Sequence, residues 1–108
     1  MRRGNFIAVA MSGAYGKPRP ALVVQSDMFA ALPSVTFCPL SSLVRDDADL
    51  FRLTVEPSAS NGLRHMSQIL VDKITTLPHD KIGQIIGHAD DTLMLRVNQA
   101  LALFFGIA

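Results

Sequence analysis

The sequence has few of the residues that hold together small secreted or metal-bound domains. Its 108 residues include one cysteine, Cys38, so no internal disulfide can form. We therefore expect a buried, inert thiol and a reducing cytoplasm. Tryptophan is absent and tyrosine occurs once, which predicts an aliphatic core supplemented by the six phenylalanines.

The histidines lack the spacing of a metal site. No two of His65, His79 and His88 form a His-x-x-x-His pair, and Cys38 has no cysteine partner. Walker loops, dinucleotide fingerprints and nucleophile-elbow motifs are also missing. We expect neither a metal nor another cofactor.

Charge and hydropathy argue against two further classes. A net charge of +1 is far from the strongly basic balance of a duplex-binding domain, although it leaves room for a small cationic site on a single strand. No run of about 18 apolar residues is present to span a membrane. The apolar run at the N-terminus is short and interrupted by Asn5, so we expect no signal peptide.

The remaining pattern predicts short strands, joined by turns, before a single helix. One helical turn fits before Pro33, and Asn61-Gly62 is a strong hairpin signal between the fourth and fifth strands. A short apolar run after Pro78 favours a last strand. The five clearer strand patterns cover residues 5–11, 19–26, 35–42, 50–57 and 67–74.

The last segment is typical of an amphipathic helix. Asp90 or Asp91 can cap its N-terminus, and Gly106 can end it. Its wide apolar stripe favours packing on the sheet on one side and on a second subunit on the other, although the whole stripe could instead pack on its own sheet. The stripe consists of Leu93, Met94, Val97, Leu101, Phe104 and Phe105. The chain thus predicts one domain over residues 1–108, mainly β with one C-terminal helix, as an open barrel.

The segment "GKPRPALVVQSD" sets Arg19 between Pro18 and Pro20 at the start of a buried strand. A guanidinium presents a rigid fork of N–H donors that matches phosphate oxygens. The flanking prolines restrict the backbone and partly fix the direction of the fork. Lys17 adds a second cation. The alternative is a surface arginine paired with a nearby carboxylate.

The order of these pieces resembles the MazF/PemK family of bacterial toxin–antitoxin ribonucleases. The matching segments cover nearly the whole chain, and the "GKPRPALVVQSD" block with its spacing to "CPLSS" is the most specific part; the others are "RRGNFIAVA", "FRLTVEPSASNGLR", "SQILVDKI", "KIGQIIGHADD" and "VNQALALFFGIA". The resemblance implies an SH3-like open barrel of the CcdB/MazF type, and a homodimer through the C-terminal helix. It also implies a toxin that cleaves single-stranded RNA at short motifs without a metal, leaving 2′,3′-cyclic phosphate and 5′-OH ends. A cognate antitoxin would lay an extended segment over the RNA groove.

The resemblance also assigns roles to individual residues. Cleavage by the RNA 2′-OH needs a base, an acid and a cation that offsets charge on the phosphorane. Arg19 matches the catalytic arginine of the family, Ser41 its hydroxyl residue after the third strand, and Asp72 a base that some members use. We accordingly predict Arg19, Ser41 and Asp72 as catalytic residues; the predicted RNA-binding residues are Tyr15, Lys17, Ser42, Arg64 and Lys73.

Each of these roles has a plainer alternative. Ser41 can bond the backbone where Pro39 interrupts the strand ladder, and Asp72 can pair with Lys73 or cap a turn. Tyr15 can be a solvent-exposed loop residue. Arg64 and His65 follow the Asn-Gly turn, where they can touch RNA or form a solvated hairpin end.

The chain also departs from the family pattern. Asn5 stands where many members have an aspartate, the loop "MSGAYGKP" lacks the usual glutamate, and Lys73 and Thr75 occupy the places of a Gln-x-Arg motif. The ending "FFGIA" resembles that of CcdB-like toxins, which bind gyrase without nuclease activity. A gyrase-binding toxin is therefore the alternative function, and a degenerate member that only binds antitoxin or RNA is a third. CcdB-like chains lack the Arg-Pro block, which favours the ribonuclease.

Overall fold

The computed structural model describes residues 1–10, 17–47 and 50–107. Seven strands and one α-helix lie within them, with three short 3-10 turns between strands. The strands are β1 (Asn5–Val9), β2 (Arg19–Val23), β3 (Ser34–Ser41), β4 (Arg52–Val55), β5 (Ser67–Leu70), β6 (Thr75–Pro78) and β7 (Ile82–His88), and the helix is α1 (Asp91–Phe105). The mainly β class with one C-terminal helix is confirmed.

The strands form one antiparallel sheet that is organised around β3. The sheet order is β4-β5-β3-β2-β1-β7, and β6 pairs with β3 outside that path. The first half of β3 pairs with β6, whereas its last residues, Leu40 and Ser41, pair with β5. β2 pairs with the middle of β3, from Phe37 to Pro39. β3 therefore has β2 along one edge and both β5 and β6 along the other.

Strands β1 to β3 are buried on both faces, which explains their nearly continuous apolar sequences. Neighbouring residues point to opposite sides, so Phe6 and Ile7 belong to different core clusters. The larger cluster lies under α1, which contributes Val97 and Ala100, and the smaller cluster lies between β1, β2 and β3 and is flanked by Leu77 and Ile82. As expected, the core is aliphatic with phenylalanine.

Cys38 is a core residue, as its apolar context predicts. It is fully buried in the larger cluster. Burial raises the pKa of the Cys38 thiol to about 12, because desolvation penalises the thiolate. The thiol is therefore protonated near neutral pH and unreactive in the folded protein.

The predicted strand over residues 67–74 is wrong in its second half. β5 ends at Leu70, and Val71–Lys73 form a 3-10 turn before β6, a strand that the sequence pattern did not separate. Leu40 pairs with Ile69 while Phe37 pairs with Thr75, so β5 and β6 are out of register along β3. The turn takes up the surplus residues. Val71, buried in the core, makes the interrupted segment look continuous in sequence.

The Asn61-Gly62 pair does join β4 to β5, which pair antiparallel, but as part of a long loop rather than a two-residue hairpin turn. Asn61 is buried, and its Oδ1 accepts from the backbone N–H groups of Ser58 and Leu63 at 2.9 and 3.0 Å. Its Nδ2 donates to the Glu56 carbonyl at 2.8 Å. The amide thus replaces the missing strand ladder as the organiser of this loop.

The helix has the ends that the sequence predicts. Asp90 is the N-cap, and its Oδ1 accepts from the Leu93 N–H at 2.7 Å; Gly106 ends the helix in a left-handed conformation with φ +73°. The start of the apolar stripe packs on the core, but Phe104 and Phe105 remain 45% and 55% exposed. The stripe therefore does not pack entirely on its own sheet. No helix of the described residues is both long enough and apolar enough to cross a bilayer.

Gly62 and Gly106 form a matched pair for testing the loop. Both have positive φ, but a Cβ at Gly62 would overlap the backbone of Ile86, whereas a Cβ at Gly106 meets open space. Gly106→Ala should cost about 1 kcal/mol, the penalty of a left-handed alanine. Gly62→Ala should lower the free energy of unfolding by at least ~1 kcal/mol more, because the backbones must separate. Urea unfolding measures both values, and equal losses would contradict the close packing of this loop on β7.

Candidate nucleic-acid interface

An open groove with a volume of about 590 Å³ lies where β2 begins and β3 ends. Apolar side chains and prolines form much of its surface, and they are Ala8, Pro18, Pro20, Leu40 and Leu63. The polar lining residues come from three separate segments of the chain; they are Lys17, Arg19, Ser42, Arg64, His65 and Ser67. The groove thus combines an apolar surface with a ring of donors.

Strand pairing places Arg19 in this groove. Arg19 is the first residue of β2, opposite Val9 of β1, and Pro20 follows opposite Ala8. Pro18 precedes the strand, so rigid residues hold the backbone on both sides of the guanidinium. Arg19 is exposed and makes no ion pair within the part of the chain that the structure describes. The alternative of a carboxylate-paired arginine is therefore not what the described residues show.

The groove is cationic although the chain is nearly neutral. Lys17, Arg19 and Arg64 line it, and none of its described lining residues is Asp or Glu. With a net charge of +1 over the whole protein, this local excess marks one place that favours an anion. The three cations and the hydroxyl of Ser42 are suited to phosphate oxygens.

The two serines after β3 have different surroundings. Ser41 is the last residue of β3, and its Oγ accepts from the Leu43 backbone N–H at 3.0 Å. Ser42, not Ser41, is among the groove residues. Ser41 thus makes the backbone contact that was the alternative to a catalytic role, and Ser42 presents a hydroxyl near Arg19.

Asp72 and Lys73 lie in the 3-10 turn after β5 and do not line the groove. Asp72 Oδ2 pairs with Arg52 Nη2 at 3.3 Å, and the two side chains are only 19% and 15% exposed. The pairing partner is therefore Arg52 rather than Lys73. Asp72 Oδ1 and Arg52 Nε are also buried, and neither has a hydrogen-bond partner among the described residues. The structure does not bring Asp72 together with Arg19, and Tyr15 lies outside the described residues.

Two residues that the sequence analysis did not select support the groove. Gln68 is buried, and its Nε2 donates to the Arg45 carbonyl at 2.8 Å while its Oε1 accepts from the Arg45 N–H at 2.9 Å. This clasp fixes the segment that follows Ser42. Ser67 Oγ donates to the His65 carbonyl at 2.9 Å and so holds the opposite wall. A polar residue in a strand ordinarily indicates a solvent-facing position, so the sequence carried no signal for Gln68.

The histidines do not gather into a metal site. Across residues 1–10, 17–47 and 50–107, no three His, Cys, Asp or Glu side chains form a group that could hold an ion. His79 Nε2 lies 3.0 Å from the Leu32 carbonyl, near the start of β3 and so at the opposite end of that strand from the groove, and His88 ends β7.

The described residues form a small, mainly antiparallel β protein with one C-terminal helix and a cationic groove that has no Asp or Glu in its described lining. Comparison with known proteins is more specific. Residues 2–105 match the family described as PemK-like, MazF-like toxin of type II toxin–antitoxin systems. The chain belongs to this family. The match gives no support to the alternative of a CcdB-like, gyrase-binding toxin.

Individual relatives agree with this assignment. A protein of Mycolicibacterium smegmatis named "Probable endoribonuclease MazF" is 42% identical over 109 residues, which span 100% of this chain and 99% of that protein. The Mycobacterium tuberculosis toxin MazF-mt6 superimposes with a TM-score of 0.82 at 23% identity, over 96% of this chain and 98% of its own. A mycobacterial endoribonuclease solved with its cognate antitoxin superimposes with a TM-score of 0.84 at 22% identity. The match covers 100% of this chain and 97% of that protein. The CcdB/MazF-type fold is thereby confirmed.

The different surroundings of the two serines predict different effects on stability. Ser41→Ala removes the acceptor of the Leu43 N–H and should lower the free energy of unfolding by about 1 kcal/mol. Ser42→Ala removes a groove hydroxyl and should change it by less than ~0.5 kcal/mol. Denaturant unfolding of the two variants provides the measurement. A larger loss for Ser42→Ala than for Ser41→Ala would show that the roles are reversed.

Proposed function

We propose that this toxin is a sequence-selective endoribonuclease that cleaves single-stranded RNA, including mRNA, in the cytoplasm, and that residues 1–108 act as one domain. The observation that carries the proposal is the placement of Arg19 between two prolines in a groove with Lys17, Arg64 and Ser42 and without a described carboxylate. The relative named a probable endoribonuclease supports it over the full length of the chain.

The chemistry needs little from the protein because RNA carries its own nucleophile. The 2′-OH attacks the adjacent phosphorus, the P–O5′ bond breaks, and the products are a 2′,3′-cyclic phosphate and a 5′-OH end. Arg19 offsets the negative charge of the phosphorane with a fork of N–H donors. A guanidinium keeps its proton in proteins, so we assign Arg19 as the cation rather than as the acid. Ser42 donates to a second phosphate oxygen.

Lys17 and Arg64 serve binding rather than chemistry in this proposal. They share the groove lining with Arg19 and would meet the phosphates next to the cleaved bond. The apolar lining, with Pro18, Leu40 and Leu63, suits the faces of unstacked bases. Tyr15, Ser41, Asp72 and Lys73 remain predictions from the family resemblance, without support from the groove geometry.

A cognate antitoxin is the second partner that we propose. The mycobacterial neighbour and a Deinococcus radiodurans MazE-MazF complex, which superimposes with a TM-score of 0.78 at 19% identity, were both solved with an antitoxin. An extended acidic segment laid in the groove would meet the same cations as RNA. Inhibition would then follow from direct competition for Lys17, Arg19 and Arg64.

The exposed end of α1 is the surface that we propose for a homodimer. Leu103, Phe104, Phe105 and Ile107 are all exposed there and continue the stripe that packs on the core. A second copy that covers these side chains would remove a contiguous apolar surface from water. A two-fold interface of this kind uses the same patch on both subunits.

The ribonuclease proposal is tested with Arg19→Ala. Removal of one preorganised donor group of this kind typically costs ~100- to 1,000-fold in rate, so cleavage of a long single-stranded RNA should fall by at least that amount. Arg19→Lys should restore RNA binding but little of the rate, because an ammonium lacks the fork. The reaction is run in EDTA, and mapped fragments should carry 5′-OH ends.

Arg2→Ala is the matched control for that experiment. Arg2 is a surface arginine, 80% exposed, which pairs with Asp27 away from the groove. Its replacement removes the same charge from the protein and should leave cleavage unchanged. Undiminished cutting by Arg19→Ala, or equal losses in both variants, would refute the assigned role.

The dimer is tested with Phe105→Lys, which places a cation on the 55% exposed ring position at the end of α1. A desolvated charge opposes association, so the variant should sediment as a monomer at concentrations where the parent protein is a dimer. Leu32→Lys changes a 50% exposed leucine between β2 and β3 and should remain dimeric. A dimeric Phe105→Lys protein or a monomeric parent would rule out this interface.

A further inference from the structure

We propose that His65 is the general base of the groove, taking the proton from the RNA 2′-OH during cleavage. This inference rests on the proposed ribonuclease function and names the group that the reaction still lacks. Neither the motif block around Arg19 nor the family match assigns a role to His65.

The first argument is position. His65 lines the same groove as Arg19 and Ser42, although it comes from the loop between β4 and β5. An imidazole can accept a proton at one nitrogen, which arginine and lysine in their charged forms cannot do. Among the described groove residues, His65 is the one imidazole, the side chain that most often acts as a general base.

The second argument is that no carboxylate lines the groove among the residues that the structure describes. Asp72 is held by Arg52 in the 3-10 turn and does not line the groove. The loop sequence "MSGAYG" over residues 11–16 contains neither Asp nor Glu. Asp80 belongs to a neighbouring hollow that shares Pro18 and Arg64 with the groove and also contains Lys81.

The third argument is that the backbone carrying His65 is fixed. Ser67, itself only 4% exposed, donates its hydroxyl to the His65 carbonyl at 2.9 Å. On the other side, Asn61 accepts from the Leu63 N–H at 3.0 Å. His65 itself is exposed, so its ring is open to a substrate in the groove. The anchored backbone limits the positions from which the ring can reach one substrate atom, as a general base requires.

Among the described residues that line the groove, the charged groups around His65 are all cations. Lys17 and Arg19 stand at the start of β2, and Arg64 is its neighbour in the chain. A bound phosphodiester brings negative charge among them. The ring then lies beside the scissile phosphate, close to the sugar that carries the nucleophile.

The proton and electron balance of the step is complete. The neutral imidazole takes the 2′-OH proton as the 2′ oxygen forms its bond to phosphorus. The P–O5′ bond breaks, and its electron pair stays on the 5′ oxygen, which takes a proton from water in the open groove. The imidazolium then returns its proton to solvent, so no co-reactant other than water is used.

The test compares His65→Ala with His79→Ala in cleavage of a defined single-stranded RNA. Loss of a general base typically costs ~100- to 10,000-fold in rate, so kcat of His65→Ala should fall within that range. Binding of a 2′-O-methyl RNA, which lacks the nucleophile, should change little. Because a general base must be deprotonated, the parent rate should rise with pH and then level off, and this rise should be absent in His65→Ala. His79→Ala, whose ring lies against the Leu32 carbonyl outside the groove, should keep the parent rate and profile.

Added imidazole separates a base from a merely structural residue. It should partly restore cleavage by His65→Ala and leave His79→Ala and Arg19→Ala unaffected. Full activity of His65→Ala would overturn the assignment, and so would a loss of activity with an unchanged pH profile and no rescue by imidazole. In either case, loss of cleavage in Arg19→Ala would still support the ribonuclease function. A parent protein that does not cleave RNA would remove both proposals together. Thermal unfolding of each variant confirms that the compared proteins are folded.

Discussion

The pairing of β2 with β3 is the constraint on which the groove depends. β3 has neighbours on both sides, because β2 pairs with its middle and β5 and β6 pair with its two halves. The antiparallel direction brings the start of β2, with Arg19, to the end where β3 delivers Ser42. Backbone pairing thus brings Arg19 and Ser42 to the same groove. Their side chains are not needed to hold the strands together and are available for a ligand.

The distribution of charged side chains leaves the groove available for an anion. The described carboxylates lie outside the groove lining, and several have partners of their own. Asp72 is paired with Arg52, Asp47 is paired with Arg45, and Asp90 caps α1. The hydrogen bond from Arg45 holds the pKa of Asp47 below its ordinary value. A groove carboxylate would neutralise Arg19 and compete with phosphate, so the absence of one from the described lining matters as much as the cations.

The sequence predicted the elements better than their connections. The strands β1 to β3, the Asp90 cap and the Gly106 terminus all follow from local patterns, and the structure confirms them. The end of β5 at Leu70 could not be predicted from the sequence, because the register of β5 and β6 along β3 is a long-range property. Val71 is apolar, which fits a continued strand as well as a buried turn. For the site, Arg19 was identifiable from its prolines. The sequence did not show that Ser42 rather than Ser41 lines the groove, or that Asp72 pairs with Arg52 outside it, because a short turn decides which way each side chain points.

The buried Asn61 ties the chemical lifetime of this toxin to its folding. An asparagine followed by glycine is prone to lose its side-chain ammonia, since glycine leaves the next backbone nitrogen unshielded for ring closure. In the native loop the amide is held by Ser58, Leu63 and Glu56, and the Gly62 N–H donates to the Ser58 carbonyl at 3.2 Å. Ring closure requires the hydrogen bonds of the Asn61 amide and of the Gly62 N–H to break. Deamidation would leave an aspartate, which cannot donate a hydrogen bond to the Glu56 carbonyl. Molecules that unfold often would therefore accumulate a form in which the loop that carries Arg64 and His65 is less firmly held.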